Sequence, residues 1–325
     1  MKKFMLVILG ILITGAALWW ADLGEIYRHL LNIDLKVVVM GCLLQIITIL
    51  LINIQWYYLS KELGEKISFG QIFHMNIAGT FTESVTPSVK AGGEVAKIYI
   101  LNKQGRLPLE RATAVVGVQK IISFSAFLIL NLISILLLLI NFKLNGMFLK
   151  ILLLSFIILI VIFIIMVFIV IHPNKIQGLL NLFPKKYKWI EKANELIESI
   201  SISIKEILSH KRVWIKQFLL SLFIWGFFPL KSYTITKGLD ISISFISIAI
   251  ITYLTYMVAM VPMLPGGMGT FEGSMTFLLV PFNISPDKGM TLAIVVRFVT
   301  FWFVFIISAI YLGGKYFHSL LWKKS

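Results

Sequence analysis

Six long apolar stretches set the terms for this chain: residues 4–20, 36–59, 112–140, 148–171, 213–236 and 288–312. A bilayer's hydrocarbon core is about 30 Å thick, and about 20 apolar residues cross it as a helix. Within lipid a segment must satisfy its own N–H and C=O groups, which only helices and closed barrels do. The stretches are apolar throughout rather than alternating, so they read as helices. With 58% hydrophobic and 14% charged residues the chain is too apolar for a soluble domain. The expected fold class is an all-α polytopic membrane protein, a single domain over residues 1–325. Met1-Lys2-Lys3 with the run behind it has the form of a signal peptide, but Trp19-Trp20 looks like an interfacial belt, and a retained anchor is expected.

Two polar, helix-breaking interruptions divide this apolar background. The first is Thr86-Pro87-Ser88-Val89-Lys90-Ala91-Gly92-Gly93-Glu94; the second runs from Pro262 through Pro265-Gly266-Gly267-Met268-Gly269 to Glu272 and Gly273. Irregular backbone at membrane depth is tolerated only where it is buried in protein or lines a wet cavity. Two such breaks therefore imply a site. Residues 241–261 lead into the second break, and the helix resuming at 270–282 is too short to cross. The expectation is about six full spans plus two broken or re-entrant hairpins, six to eight spans in all. Their opposite orientation fits an inverted repeat whose broken helices meet near the midplane. Basic residues cluster in the loops of one side, which by the positive-inside rule makes both termini cytoplasmic. The net charge of +15 is thus a topology signal with attraction to anionic lipid, and no direct nucleic acid binding is expected. Pro229 within the fifth stretch is expected to kink it.

Charge inside these segments is costly. Glu83, Glu94, Lys97, Glu272 and Arg297 lie in or beside apolar runs, and five unpaired charges at mid-bilayer would cost roughly 12–17 kcal/mol on insertion scales. They must pair or face water. Glu94 and Lys97 are one turn apart and can satisfy each other. Gly266, Gly267 and Gly269 precede the Thr270 helix, where free N–H groups at a positive dipole end suit a phosphodiester. Thr86 and Ser88 add hydroxyl donors. Glu272, Glu94 and Glu83 suit the amine of a cationic headgroup, and Arg297 the phosphate or Glu272 itself. The glycine pairs have a second reading as close helix packing.

Residues 185–212 repeat Ile and Ala at three- and four-residue spacing with Lys and Glu opposite. This is an amphipathic helix, lying on the cytoplasmic membrane surface or packed on the protein itself. Cys42 is the sole cysteine and the five histidines are scattered, so neither a disulfide nor a metal cluster is expected. No nucleophile beside a base and no phosphate-binding P-loop is present; neither a cofactor nor intrinsic catalysis is expected.

At the two breaks, Thr86-Pro87-Ser88, Gly92-Gly93-Glu94, Lys97, Tyr99 and Leu101, then Pro265 to Glu272, with Arg297 in the last span, the sequence resembles the lysylphosphatidylglycerol synthase transmembrane, or flippase-like, domain family. That domain forms the membrane part of the multiple peptide resistance factor proteins and also occurs alone. Where the family often has a Glu-Arg-x-x-Asp cluster, this chain reads Gln119-Lys120-Ile121-Ile122-Ser123. The resemblance implies a protein of a bacterial-type cytoplasmic membrane that moves a phospholipid, anionic or aminoacylated, across the bilayer. It implies a lipid-binding set of Thr86, Pro87, Ser88, Gly92, Gly93, Glu94, Lys97, Pro265, Gly266, Gly267, Gly269, Glu272 and Arg297. The alternatives are a membrane component of lysylphosphatidylglycerol synthesis and a non-transporting partner of an envelope glycosyltransferase. A separate soluble transferase or glycosyltransferase, and a second copy of the chain, are the partners these readings bring. With Ser325 thirteen residues past the last run, no transferase domain is expected, and the chain is not expected to transfer lysine by itself.

Overall fold

The computed structural model describes residues 22–86, 91–141, 146–172, 175, 178, 188–261 and 267–322. The expected first span at residues 4–20, and Pro87, Ser88, Pro265 and Gly266 of the expected site, lie outside the described residues.

Among the described residues every regular element is helical. In chain order they are α1 (Leu23–Asn32), α2 (Leu35–Glu62), α3 (Phe69–Val85), α4 (Ala91–Lys103), α5 (Leu109–Asn141), α6 (Gly146–Ile171), α7 (Lys188–Ser209), α8 (Lys211–Gly238), α9 (Phe245–Met260), α10 (Thr270–Leu279), α11 (Pro286–Arg297) and α12 (Phe303–Trp322). A single 3₁₀ turn (Val280–Phe282) follows α10, and a π-helical turn (Phe298–Trp302) joins α11 to α12. Five segments are long and apolar enough to cross a membrane: Leu35–Glu62, Leu109–Ile140, Leu149–Ile169, Lys211–Gly238 and Pro286–Tyr316. They coincide with five of the six expected runs, and the protein is a multi-pass membrane protein. Leu43, Ile47, Leu50 and Ile54 on α2, and Leu154, Ile157, Ile164 and Ile165 on α6, face outward as lipid-facing side chains do.

Local sequence explains the breaks. Asp34 and Ser68 cap the starts of α2 and α3, Ser68 exchanging hydrogen bonds with Gln71 in a capping box. α8 continues through Pro229 without ending. α1 was not expected as a helix. Asp22 caps it through the N–H groups of Gly24 and Glu25, Ile26 is buried with Met290 of α11, and His29 Nε2 meets Asp287 Oδ2 at 2.8 Å.

The first interruption is shorter than the sequence indicates. α3 stops at Val85 and α4 has begun by Ala91, so Gly92, Gly93 and Glu94 form the first turn of a helix rather than irregular backbone. The glycine pair there lets two helices touch. A Cβ on Gly93 would meet the Gly79 carbonyl oxygen at 2.7 Å, and one on Gly92 would collide with the Thr86 side chain. Gly93→Ala is therefore expected to push α4 off α3 at a cost of about 1–3 kcal/mol. A lower thermal unfolding midpoint of the detergent-solubilised protein checks this.

Two apolar cores hold the bundle. In one, Trp56 and Leu59 of α2 and Ile72 and Met75 of α3 pack with Ile100 and Leu101 of α4 and with Ala114, Val115 and Val118 of α5. In the other, Phe127, Ile135 and Leu138 of α5 pack with Ile235 of α8, Leu254 and Met257 of α9, Met275 and Leu278 of α10, and Val296 of α11. Each core contains one broken hairpin, α3/α4 or α9/α10, and α5 serves both. The helix expected at 185–212 is α7. Its Ser201, Ile204 and Ile207 are buried against α5, Ile202 is exposed, and Arg111 of α5 is paired with both Glu206 of α7 and Glu65.

Candidate functional site

The cavity that concerns both interruptions has a volume of about 290 Å³ and lies between the two broken hairpins. α3 contributes Thr80, Glu83 and Ser84, with Thr86 at its end. The second hairpin contributes Ala259, Met260, Val261, Gly267 and Phe271, and the last span adds Arg297, Thr300 and Phe301. α2 closes it with Gln45, Ile49 and Ile52, and α8 with Phe228. Thr80, Glu83 and Ser84 share a wall because residues three and four apart lie on one helix face.

The second hairpin positions its charges tightly. Gly267 and Gly269 have φ of +67° and +76°, the left-handed region that favours glycine, and a Cβ on Gly267 would also press the Ala259 carbonyl at 2.9 Å. The turn they make starts α10 and brings Glu272 under it. Glu272 Oε2 accepts the Gly269 N–H at 2.8 Å, and Glu272 Oε1 meets Arg297 Nε at 3.2 Å. The guanidinium is sandwiched between the Phe271 and Phe301 rings, at 5.2 and 4.9 Å from their centroids. Tyr256 donates to Thr300 at 3.0 Å and packs edge-on against Phe228 and Phe271. Arg297 is thus held at the cavity wall by a carboxylate and two rings. The Gly269 N–H, expected to be free for a phosphate, is spent on Glu272.

The first hairpin is arranged differently. Thr86 lines the cavity, but its hydroxyl proton goes to the Thr82 carbonyl at 2.7 Å, so it offers a ligand lone pairs rather than the expected donor. Glu94 lies behind the wall. Lys97 reaches Glu94 Oε2 at 3.4 Å, as the one-turn spacing predicts, and Lys120 of α5 reaches Oε1 at 3.0 Å. The Lys97 stem crosses the bare face of Gly79, and its ammonium also rests 5.2 Å from the centre of the Trp56 ring. Of the expected set, Thr86, Gly267 and Arg297 share the cavity. Gly92, Gly93, Glu94, Lys97, Gly269 and Glu272 are not on its wall and serve packing, counter-charge or capping. Among the described residues no group of His, Cys, Asp and Glu has the makings of a metal site.

Several participants were not anticipated from sequence. Lys120 stands at the arginine position of the cluster described above, between Gln119 and Ser123 where the acids are missing, and it acts here as the second cation on Glu94. Gln45, Phe228, Tyr256, Thr300 and Phe301 carry no motif. The hint for Gln45 is only that it recurs with Thr48, Asn53 and Gln55 as a polar residue in a span that is otherwise mostly apolar.

Comparison with known proteins agrees with a multi-pass membrane protein. The family described as "Lysylphosphatidylglycerol synthase TM region" matches residues 7–308. A UPF0104 membrane protein of Pyrococcus horikoshii is 24% identical over 326 residues, covering 95% of this chain and 96% of its own length. One from Methanocaldococcus jannaschii is 25% identical over 92% of this chain and 91% of its own. One from Methanothermobacter thermautotrophicus is 25% identical over 93% and 92%. Both broken hairpins fall inside the matched region.

Proposed function

The chain belongs to the lysylphosphatidylglycerol synthase TM region family, and from that premise we propose that the cavity receives the headgroup of a phospholipid, anionic or aminoacylated, and carries it across the bilayer. The observation that supports this most is that the two hairpins, with the last span, place a carboxylate and a guanidinium, Glu83 and Arg297, on the wall of one cavity among membrane-crossing helices. A volume of about 290 Å³ is at the small end for ligand sites, suited to a headgroup rather than to a whole lipid with its chains. The phosphate goes to Arg297, whose planar donor fork suits phosphate oxygens. An amine or hydroxyl of the headgroup goes to Glu83 and to the acceptor lone pairs of Thr86. The acyl chains stay in the lipid that the outward aliphatic side chains face.

The test is translocation in proteoliposomes carrying a trace of fluorescent phosphatidylglycerol. Wild-type protein is expected to bring inner-leaflet label within reach of an added membrane-impermeant quencher, and Arg297→Gln to slow this at least about tenfold, the size of losing one charged hydrogen bond. Equal rates for the two, at equal folded amounts, would count against the proposal.

A further inference from the structure

Lys231 is the buried cation that the lipid site as described does not use. It lies in the last third of α8, two residues past Pro229, and its side chain is wholly buried at 0% exposure. Among the described residues no carboxylate pairs with it. Nζ donates to Gln45 Oε1 and, at 3.3 Å, to Thr48 Oγ1, and it lies 4.3 Å over the centre of the Phe228 ring. The Thr48 hydroxyl proton is itself committed to the Leu44 carbonyl at 2.8 Å, so Thr48 meets Lys231 only as an acceptor. Gln45 and Phe228 both line the cavity, which places Lys231 directly behind its wall.

We infer that Lys231 is a positioning residue that fixes Gln45 as a hydrogen-bond donor on the cavity wall, giving a lipid phosphodiester a second anchoring point besides Arg297. An amide side chain can present either oxygen or nitrogen, and its neighbours decide which. An ammonium has protons to give and no acceptor, so Gln45 Oε1 must turn toward Lys231. The amide nitrogen is then left on the other side. Among the described residues no hydrogen bond uses Gln45 Nε2, and Gln45 is a wall residue, so the N–H groups are available to a ligand oxygen. The rings of the cavity favour the same ligand sign. Phe271 and Phe301 already hold Arg297 and Phe228 already holds Lys231, so their faces are taken by the protein's own cations. Lys231 alone in an apolar helix would be costly; converting its charge into a fixed donor gives that cost a purpose.

The inference rests on the phospholipid reading, and the experiment separates the two. Binding of dioctanoyl phosphatidylglycerol and of dioctanoylglycerol, which lacks the phosphate, is measured on detergent-solubilised protein by native mass spectrometry. Wild type is expected to prefer the phosphatidylglycerol; no preference would overturn the phospholipid reading itself. Gln45→Glu keeps an oxygen for Lys231, so the unfolding midpoint is expected to be unchanged or higher. Its second carboxylate oxygen, however, faces the cavity in place of the N–H groups. Phosphatidylglycerol binding is expected to weaken at least about tenfold, with dioctanoylglycerol unaffected. Lys231→Met releases the amide and is expected to lower the same preference without touching a cavity atom. If both variants keep the wild-type preference, Lys231 and Gln45 are merely core packing and the inference is overturned. Displacement of the lipid by inorganic phosphate would overturn the lipid assignment in favour of the free anion.

Discussion

Glu272→Ala is expected to destabilise the protein by about 3–5 kcal/mol, because it removes a carboxylate paired with a buried guanidinium. The Glu272 and Arg297 side chains are only 14% and 7% exposed, so water screens little of the loss. The same change frees the Gly269 N–H that Glu272 Oε2 accepts, and α10 loses its N-terminal anchor. Glu272→Gln divides these two effects. Its amide oxygen still receives the Gly269 N–H, but the charge facing Arg297 is gone. The unfolding midpoints in detergent should fall in the order wild type, Gln, Ala, and lipid translocation should fail in both variants. A Gln variant as unstable as Ala would mean that the cap contributes nothing.

The second large effect is expected at Glu94. Glu94→Gln leaves the ammonium groups of Lys97 and Lys120 facing one neutral amide, in place of a carboxylate that receives Lys120 on Oε1 and Lys97 across both oxygens. The cost is expected near the lower end of the about 3–5 kcal/mol range for a broken buried pair, since Lys120 retains 31% exposure. Removing the surplus cation should restore part of it. Glu94→Gln with Lys120→Met is therefore expected to be more stable than Glu94→Gln alone, and a double-mutant cycle on the unfolding midpoint reads the coupling directly. Additive single effects would show that Lys120 contributes nothing through Glu94.

These two clusters also mark how far the sequence is legible. The spans are legible because lipid demands long apolar helices, and hydropathy reads that demand without knowledge of the fold. The Glu94–Lys97 pair follows from one-turn spacing, and Arg297 against Glu272 follows from the rule that membrane charges find partners. Lys120 and Lys231 do not follow. Their partners, Glu94 and Gln45, are 26 and 186 residues away in sequence, and no motif surrounds either lysine: Lys120 is the sole charge of residues 112–140, and Lys231 shares residues 213–236 with Lys216. Gly92 and Gly93 were legible as a pair but not as to place, because glycine marks both a turn and a close helix approach. The neighbouring Pro87 favoured the turn, while the Gly79 carbonyl shows the contact. α1 escaped because at ten residues it is too short to read as a span, and Met290, against which Ile26 is buried, lies far along the chain.

The way α5 divides its length has a consequence for how the molecule comes apart. Ala114, Val115 and Val118 belong to the core around α3/α4, while Phe127, Ile135 and Leu138 belong to the core around α9/α10. One continuous helix is thus a load shared by both halves, and neither half can melt without stripping side chains from a rod that the other still needs. The two hairpins are not separable folding units. Splitting the chain on either side of α5 should give fragments that recover their structure only when both are inserted together.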